Sequence, residues 1–475
     1  MQLLDVLLYV LIGVQLFISC SQLIQLSSSL RWIRQRQLTS THKEGVQGAK
    51  PLAGGAGVSP EGSSFLCSPP KEASYEGISE RQPLTPEDTP MNTVHILIPV
   101  YKEKAVIKTC VEYFDKLARY PNVLIHYVTS EKEGGNSDTV AALKQMPEQY
   151  RFSHLHYSET DGFKAHQLNW AIKHILAGCN TADYQATYFG IYDVDSRPEV
   201  EVIKTILHGK DRVYQQPSIY LENYGRIDAL QKAGALLQTK WELCANIPVL
   251  REYDRCLQHN ESISTLPYCT GHGLFIRADT LEQVDLFDTV TLAEDLEFGY
   301  RSAFRGIPIT LLKEVDYTQY APTFPATIRQ TSRWFSGEMN LYRYYTHEKK
   351  HSNDRNLKGG FFEWLVLKRY YTTLKWAFGA PLIYLAFLVL IIRYPLTILL
   401  AFLSVFFYVY LPFRMICNFT SWDKHIGDRK NLFALLLSGC IRPLLNSCGP
   451  FHYFLTTPIN KIRKKPIMFV RTPKN

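Results

Sequence analysis

The sequence predicts an α/β fold in its central part, flanked by apolar helices long enough to cross a membrane. Between residues 93 and 312, short apolar runs alternate with stretches of helical periodicity, which is typical of a mostly parallel sheet. Residues 3–26 and 377–413 each carry a single charged residue, and basic residues stand beside both stretches. The mean hydropathy of −0.13 indicates a polar domain tethered by a few apolar segments.

Residues 1–30 are predicted to form an N-terminal transmembrane anchor. The stretch 3–26 can span a bilayer, and Asp5 is its one charge. We expect a retained anchor rather than a signal peptide, because a basic start and a small-residue cleavage site are not evident. Three arginines within 31–36 place the following chain in the cytoplasm by the positive-inside rule. Residues 31–92 are predicted to be a basic stretch and a disordered linker rich in Gly, Ser, Pro and Thr.

Residues 93–320 are predicted to form a cytoplasmic α/β domain. The expected strands are the apolar runs VHILIPV, VLIHYVT, FSHLHY, TYFGIYDV and IPITLL. The expected helices lie near 104–118, 162–177, 198–208 and 294–305. In a parallel sheet of this kind, ligands bind at the carboxyl ends of the strands.

The C-terminal part is predicted to hold interfacial and transmembrane helices. Residues 321–375 contain amphipathic stretches, at 325–345 and 361–372, that mix aromatic side chains with Arg and Lys. Residues 376–416 are typical of a transmembrane hairpin that turns at Arg393-Tyr394-Pro395. We expect residues 417–475 to be a re-entrant or interfacial segment and a basic tail, because a single crossing would put that tail outside.

The net charge of +8 is concentrated beside the apolar segments. Residues 461–475 carry six basic residues and no acidic ones, and residues 31–43 carry four basic residues. This placement indicates a membrane surface rather than nucleic acid as the partner, since the clusters lack the interleaved aromatics of a single-strand groove. The sequence also lacks a P-loop and the spacing of a zinc module.

Asp193-Val194-Asp195 follows directly after an apolar strand. Two carboxylates at positions i and i+2 of a strand exit can share one divalent cation, since Mg²⁺ binds one or two carboxylates together with phosphate oxygens. A solvated turn has the same appearance, so the motif gains weight only in combination with others.

Two further motifs follow in order along the chain. Glu294-Asp295 opens a helical pattern, where acidic residues also serve as ordinary caps. Gln330, Arg333 and Trp334 share one face of a helix, and their amide, guanidinium and indole suit a diphosphate and a sugar ring. An ordinary interfacial aromatic belt is the alternative interpretation of this third motif.

Three smaller groups accompany these motifs. In the first group, an aromatic residue and an acid follow the end of the first strand. In the second, a lysine near the start of a helix is placed to contact phosphate. In the third, a loop of small residues lets the backbone approach a substrate closely. These groups are Tyr101 with Glu103, Asp161 with Lys164, and Gly271 with His272.

With D-x-D, E-D and Q-x-x-R-W in this order and a membrane hairpin after them, the chain resembles the membrane-bound family-2 glycosyltransferases. This group holds cellulose, chitin and hyaluronan synthases and related glycolipid transferases. The resemblance implies a GT-A fold for residues 93–320 and a metal-dependent transfer of a sugar from a nucleotide-sugar donor.

The resemblance also implies a role for each motif. Asp193 and Asp195 would hold the donor diphosphate through Mg²⁺ or Mn²⁺, and Asp295 would be the catalytic base. The nucleotide-sugar would lie among Tyr101, Glu103, Asp161, Lys164 and Asp193. The acceptor and the diphosphate would lie near Gln330, Arg333, Trp334, Glu294, Gly271 and His272.

One departure from the family pattern concerns the nucleobase. The second strand in this family usually ends in a run similar to D-D-G-S, whose Asp recognises the base. This chain has Thr129-Ser130-Glu131 at that place. Glu131 is the candidate substitute, and a uridine donor is the expectation.

The sequence and the resemblance therefore predict an inverting glycosyltransferase. It is expected to be an integral, multi-pass membrane protein with its catalytic domain at the cytoplasmic face. Processive synthesis of a β-linked polysaccharide is the first hypothesis for the acceptor. A glycolipid transferase is the alternative, because the few membrane segments give little wall for a secretion channel. An inactive scaffold is disfavoured, since every acidic residue of the motifs is present. Membrane lipid is an expected partner and nucleic acid is not. The sequence does not decide whether the protein forms an oligomer.

Overall fold

The computed structural model describes residues 3–44, 91–134, 137–351, 360–420 and 429–462. The strands in these ranges are Thr93–Pro99 (β1), Val123–Ser130 (β2), Ser153–Tyr157 (β3), Thr187–Ile191 (β4), Arg197–Pro198 (β5), Val213–Gln215 (β6), Ser218–Ile219 (β7), Leu274–Arg277 (β8), Thr310–Leu311 (β9) and Asp316–Tyr317 (β10). The α-helices are Leu3–Glu44 (α1), Lys104–Ala118 (α2), Asp138–Lys144 (α3), Lys164–Leu176 (α4), Val202–Leu207 (α5), Ala229–Trp241 (α6), Ile247–Gln258 (α7), Ala278–Gln283 (α8), Glu294–Phe304 (α9), Phe324–Met339 (α10), Leu341–His351 (α11), Gly360–Arg393 (α12), Ile398–Val405 (α13), Leu411–Phe419 (α14), Arg429–Leu445 (α15) and Cys448–Ile462 (α16).

Seven strands form the main sheet, in the order β3-β2-β1-β4-β8-β6-β9. β1 pairs in parallel with β2 and β4, and β2 with β3, whereas β8 runs antiparallel between β4 and β6. The mostly parallel α/β sheet that the sequence predicts is therefore confirmed. The short strands β5, β10 and β7 form a second, smaller sheet.

The two faces of the main sheet have different surroundings. One face packs against α2 and α5, with Ile98, Phe114 and Ile203 in its core. The other face packs against α4, and its apolar cluster continues through α6, α7 and α9 into the long C-terminal helices. The α/β domain and the apolar helices therefore share one continuous core.

Four stretches are long and apolar enough to cross a membrane, namely Leu4–Gln35, Gly360–Arg393, Pro395–Phe419 and Leu432–Thr457. α1 extends beyond the expected anchor, through the basic stretch. Residues 361–372 are the first turns of α12 rather than a separate interfacial helix, because no Gly or Pro interrupts the chain before Gly379. Most of the predicted linker, 45–90, and the tail from residue 463 lie outside the described residues.

α1 is fixed at both ends. Near its start, the Asp5 carboxylate accepts hydrogen bonds from Arg393 Nη1 at 2.6 Å and from the Tyr394 hydroxyl at 3.0 Å. Near its other end, the Trp32 ring lies 5.2 Å from the Arg251 guanidinium of α7. The start of α1 and the turn at Arg393 thus share one end of the helix bundle, and the α/β domain lies at the other end.

The last apolar stretch consists of two helices that meet at Asn446 and Ser447. α15 packs against α6, and α16 packs against α10. The fully buried Arg442 of α15 donates to Gln231 Oε1 and to the Tyr320 hydroxyl, both at 2.7 Å. These contacts hold the stretch against the α/β domain, and its re-entrant or interfacial path stays a prediction.

Two π-helical turns interrupt helices near this junction, at Glu242–Asn246 and at Phe406–Tyr410. Lys240, just before the first turn, donates from Nζ to the Tyr408 carbonyl of the second turn at 2.9 Å. A π-turn interrupts the regular i to i−4 bonding of a helix, and such turns are frequent at functional sites. Burial lowers the pKa of Lys240 to about 7.

Candidate active site

The carboxyl ends of β1, β2 and β4 open into a cavity of about 1340 Å³. Large ligand pockets reach roughly 1,000 Å³, so this cavity has room for two substrates. Of the predicted site residues, the cavity wall includes Tyr101, Glu103, Lys164, Asp193, Asp195, Gly271, His272, Glu294, Asp295, Gln330, Arg333 and Trp334. Asp161 is exposed on the turn before α4 and is not part of this wall.

Lys164, the first residue of α4, lies at the centre of the acidic cluster. Its Nζ donates to Asp193 Oδ1 at 2.8 Å and to the Gly271 carbonyl at 2.7 Å, and it lies 4.0 Å from Glu294 Oε1. Burial disfavours the ammonium form, but the charges of Asp193 and Glu294 outweigh it and raise the pKa of Lys164. A fixed positive charge therefore lies between the D-x-D and E-D motifs.

Asp195 is buried and held by the loop that follows β10. Its Oδ2 accepts hydrogen bonds from the Thr318 hydroxyl and the Gln319 backbone amide, both at 3.3 Å. Asp193 and Asp195 together present the hard oxygen atoms that Mg²⁺ and Mn²⁺ bind. Within the described residues, no group of three or more His, Cys, Asp or Glu forms a metal cage. Substrate phosphate and water would therefore complete the shell, which is usual for Mg²⁺.

Glu294 and Asp295 begin α9, directly opposite the Gly271 loop. A Cβ on Gly271 would lie 2.8 Å from Asp295 Oδ2 and 3.2 Å from Lys164 Nζ, so a side chain at this position would displace the Asp295 carboxylate. Burial, and then the charge of Asp295, raise the pKa of Glu294 to about 7 against the opposing charge of Lys164.

His272 is oriented by a buried carboxylate. Its Nδ1 lies 2.7 Å from Asp316 Oδ2, and Asp316 also accepts a hydrogen bond from the Arg197 backbone amide at 2.9 Å. Burial disfavours the imidazolium, but the hydrogen bond and charge of Asp316 outweigh it and raise the pKa of His272. The ring is thus held rigidly in the cavity wall.

Gln330, Arg333 and Trp334 line the cavity from one face of α10, as their spacing predicts. The helix begins after Thr323, whose hydroxyl accepts a hydrogen bond from the Ala326 amide, with Pro325 in the first turn. The start of α10 is therefore fixed by local sequence.

On the cavity wall next to α2, Glu103 is buried at the start of that helix, and its backbone amide donates to the Thr139 hydroxyl at 3.1 Å. Glu131, the candidate substitute for a base-binding Asp, is paired with His156, whose Nε2 lies 2.8 Å from Glu131 Oε2. Its neighbours Ser130 and Lys132 line the cavity, whereas Glu131 does not.

A buried ion pair that the sequence analysis missed joins α10 to α12. Glu338 accepts a hydrogen bond from Arg369 Nε at 2.9 Å and from the Tyr300 hydroxyl at 2.7 Å, and the Arg369 guanidinium lies 4.7 Å from the Tyr268 ring centroid. Glu338 and Arg369 both line the cavity. From the sequence, Arg369 was interpreted only as a basic residue that flanks a membrane segment. The available signal was Glu338, an acidic residue one helical turn after Trp334 on the same helix.

Beyond this pair the cavity continues between the apolar helices. α12 lines it along one face from Thr372 to Phe387, which is about 22 Å of helix. We call the region around Lys164, Asp193, Asp195, Glu294 and Asp295 the polar end. The apolar end is lined by Gly379, Ala380, Ile383, Phe387, Ala401, Val405 and their neighbours.

Comparison with known proteins supports the predicted class. A family model described as glycosyl transferase family group 2 matches residues 251–417, about a third of the chain. A search of curated proteins found no match. Among solved structures, the mannosyltransferase PcManGT of Pyrobaculum calidifontis, in complex with GDP-Man and Mn²⁺, is similar at 12% identity and a TM-score of 0.46, covering 77% of this chain and 88% of that one.

A second similar structure is glucosyl-3-phosphoglycerate synthase of Mycobacterium tuberculosis, in complex with Mn²⁺, UDP and its product. It has 12% identity and a TM-score of 0.32, covering 52% of this chain and 80% of that one. Residues 251–417 contain the Gly271 loop, the E-D motif and the Q-x-x-R-W helix. The family model therefore covers the segment that supplies Asp295 and Arg333 to the cavity, and this match supports the predicted glycosyltransferase class.

Proposed function

We propose that this protein transfers a sugar from a nucleotide-sugar to a hydroxyl of a membrane lipid, with inversion at the anomeric carbon. The observation that carries the proposal is the continuity of the cavity. The same cavity that contains Asp193, Asp195 and Asp295 extends along α12 to Phe387. About 22 Å of α12, one of the helices long and apolar enough to cross a membrane, thus lines a path to the acidic cluster, and this path is the proposed route of an acceptor lipid.

At the polar end, the diphosphate of the donor is proposed to lie beside Lys164 and the D-x-D carboxylates. A divalent cation held there by Asp193 and Asp195 would supply positive charge to the leaving diphosphate. Lys164 adds a fixed charge 2.8 Å from Asp193. The Arg333 guanidinium is the further cation on this wall with the planar geometry that suits phosphate.

Asp295 is the proposed general base. It accepts the proton of the acceptor hydroxyl while that oxygen bonds to the anomeric carbon and the bond from that carbon to the diphosphate oxygen breaks. The nucleoside diphosphate leaves with the electron pair. The Gly271 backbone lies so close to Asp295 that an added Cβ would displace the proposed base.

The lining of the apolar end favours a lipid over a growing polysaccharide. A hydrated sugar polymer needs polar partners along its path, whereas from Gly379 onward α12 and α13 contribute mainly small and apolar residues to the cavity, with Tyr384 and Ser404 among them. Processive polymer synthesis remains the second candidate, because the Q-x-x-R-W residues on which that hypothesis rests do line the cavity.

The test is transfer by purified protein in lipid nanodiscs, with Mn²⁺ or Mg²⁺ and a panel of radiolabelled UDP- and GDP-sugars. Products are partitioned between organic solvent and water and then sized. Label in the organic phase supports a lipid acceptor, whereas label in large water-soluble material supports polymer synthesis and overturns the proposal. Chelation by EDTA is expected to stop transfer, and added Mn²⁺ to restore it.

Asp295→Asn is the decisive variant in this assay. It removes the base but keeps the shape of the side chain, so transfer is expected to fall roughly 10²–10⁴-fold while donor binding is retained. Asp138→Asn, at an exposed carboxylate on α3, is the matched control and should transfer normally. Near-normal turnover in Asp295→Asn would assign the base to another residue.

A further inference from the structure

The side that α6 turns toward the cavity carries one exposed aromatic ring. Of the residues from 231 to 247, Trp241 alone is exposed, with an exposed fraction of 38%. Gln238, Trp241 and Ala245 are spaced by three and four residues, so they lie on one side of the helix, and all three line the cavity. Because the other sides of this helix are buried, the exposed part of the Trp241 ring faces the cavity.

A second ring holds Trp241 in place. The rings of Trp241 and Tyr268 are stacked, with their centroids 5.8 Å apart and their planes inclined by 23°. Tyr268 is buried, and the Arg369 guanidinium lies 4.7 Å from its ring centroid. Stacked aromatic rings favour one relative orientation, so the indole is a flat and preorganised surface in the cavity wall. Its exposed part is apolar area that a ligand can remove from water.

The stacked pair lies close to the loop that contacts the proposed base. Tyr268 stands three residues before Gly271, so the Cα atoms of these two residues are at most about 11 Å apart. The Gly271 carbonyl in turn accepts a hydrogen bond from Lys164 Nζ at 2.7 Å. Trp241 is therefore placed beside the polar end of the cavity, where the reacting group of an acceptor must lie.

Polar groups accompany the indole on this part of the wall. Gln238 precedes Trp241 by one helical turn, and its amide has up to four hydrogen-bonding positions, of which the Tyr220 hydroxyl takes one. The Tyr220 ring also contacts His272, with the ring centroids 6.3 Å apart. A ligand in front of Trp241 thus meets a flat apolar face together with an amide and an imidazole.

The chemistry of a sugar ring matches this combination. A pyranose presents C–H groups on its face and hydroxyls around its edge, and binding pockets commonly join aromatic side chains with a few polar groups that fix orientation. A fatty chain could cover the indole of Trp241 but would leave the remaining positions of the Gln238 amide without a partner, which is unfavourable.

We infer that Trp241 is the stacking surface for a sugar ring of the acceptor, and that the acceptor is a lipid that already carries a sugar. This inference rests on the lipid acceptor of the proposed function. The reacting hydroxyl then belongs to that sugar. Its oxygen bonds to the anomeric carbon of the donor sugar, the bond from that carbon to the diphosphate oxygen breaks, and Asp295 takes the proton. The product is a lipid with one more sugar, joined by a glycosidic bond.

The first test uses the wild-type protein in nanodiscs with Mn²⁺ and a panel of synthetic lipids. The panel contains diacylglycerol and ceramide, each without a sugar, with glucose, galactose or mannose, and with the corresponding open-chain alditol. We expect one of the glycolipids to be labelled with a kcat/KM about ten-fold above that of its open-chain counterpart, because only the closed ring can stack.

Two other outcomes of this test separate the inference from the proposed function. A kcat/KM for a sugar-free or open-chain lipid that equals or exceeds those of the glycolipids would overturn the inference and leave the proposed function intact. If no lipid of the panel is labelled while the donor is still hydrolysed, the proposed function itself fails.

The second test replaces the ring. Trp241→Leu keeps an apolar side chain but removes the flat face, so KM for the glycolipid is expected to rise about ten-fold while KM for the donor keeps its wild-type value. Trp241→Phe keeps a flat ring, and its rise in KM should be no more than about three-fold. Trp364→Leu is the matched control, because the exposed indole of Trp364 on α12 is not part of the cavity wall.

An unchanged KM for the glycolipid in Trp241→Leu would contradict the inference. An equal rise in Trp241→Leu and Trp241→Phe would do the same, because it would assign the indole a role in packing alone. If Trp241→Leu does not fold, the comparison of closed and open sugars with the wild-type protein decides the inference.

Discussion

The polar end and the apolar end of the cavity are built in opposite ways. At the polar end, Lys164 and the D-x-D carboxylates have partners within hydrogen-bonding distance, as Lys164 has in Asp193 and in the Gly271 carbonyl. At the apolar end, faces of α1, α12, α13 and α15 enclose space, and small residues such as Gly379 and Ala380 keep it open. Catalysis at the polar end therefore depends on residue type and on exact contacts. The space proposed for a lipid at the apolar end depends only on small side chains.

The Glu338–Arg369 pair joins the two ends, and breaking it is expected to have the largest effect. Arg369→Met leaves the Glu338 carboxylate buried without its cation, which should cost roughly 3–5 kcal/mol of stability. The unfolding temperature in detergent measures this loss. The control is Arg255→Met, which breaks the exposed Arg255–Glu252 pair and should cost less than about 1 kcal/mol. Equal losses would show that Arg369 is not a structural link.

At the polar end, Gly271→Ala tests how closely the catalytic contacts are packed. The added Cβ would displace Asp295 and Lys164, so kcat is expected to fall about 100-fold with little change in unfolding temperature. Gly225→Ala is the matched control, because a Cβ there meets open space. Wild-type turnover in Gly271→Ala would mean that the acidic cluster tolerates displacement.

Lys240 does not line the cavity but donates a hydrogen bond to the Tyr408 carbonyl behind the apolar end. Because Lys240 is buried, the free energy of unfolding is expected to depend on pH. Its pKa is lowered from 10.5 to about 7, so between these values the unfolded chain binds more protons and stability rises with pH. The slope for one proton is at most about 1.4 kcal/mol per pH unit. We expect the unfolding temperature of Lys240→Met, relative to wild type, to be highest near pH 7 and to decline toward about pH 9. A difference that does not change with pH would contradict this.

At the apolar end, Ala380→Phe is expected to have the smallest effect. It tests whether acceptor binding at the apolar end can change while donor hydrolysis at the polar end does not. The ring fills part of the path along α12, so KM for a lipid acceptor should rise about ten-fold while donor hydrolysis stays unchanged. Leu382→Phe, on the exposed side of the same helix, is the matched control. If Ala380→Phe slows donor hydrolysis instead, the two ends are not independent.

Most of the fold could be predicted from the sequence, and so could most of the polar residues that line the candidate site. The parallel strands are short apolar runs, and the helices at 104–118 and 294–304 have clear periodicity. Of the predicted site residues, Asp161 and the candidate base-binding Glu131 are absent from the cavity wall. Helices α6 and α7 were not predicted. α6 is buried on most sides and lacks a simple polar face, whereas α7 has a clear apolar face, with Leu250, Tyr253 and Cys256 buried, that the sequence analysis overlooked.

The sequence by itself determined the chemistry of the polar end, because carboxylates, a lysine and an arginine at strand and helix ends are specific residue types at specific spacings. Only the tertiary structure decided that these residues share a cavity with the apolar helices. The Glu338–Arg369 pair, the Trp241–Tyr268 stack and the open face of α12 come from segments that are distant in the chain. Such contacts depend on how helices pack, and no local pattern encodes the space between them.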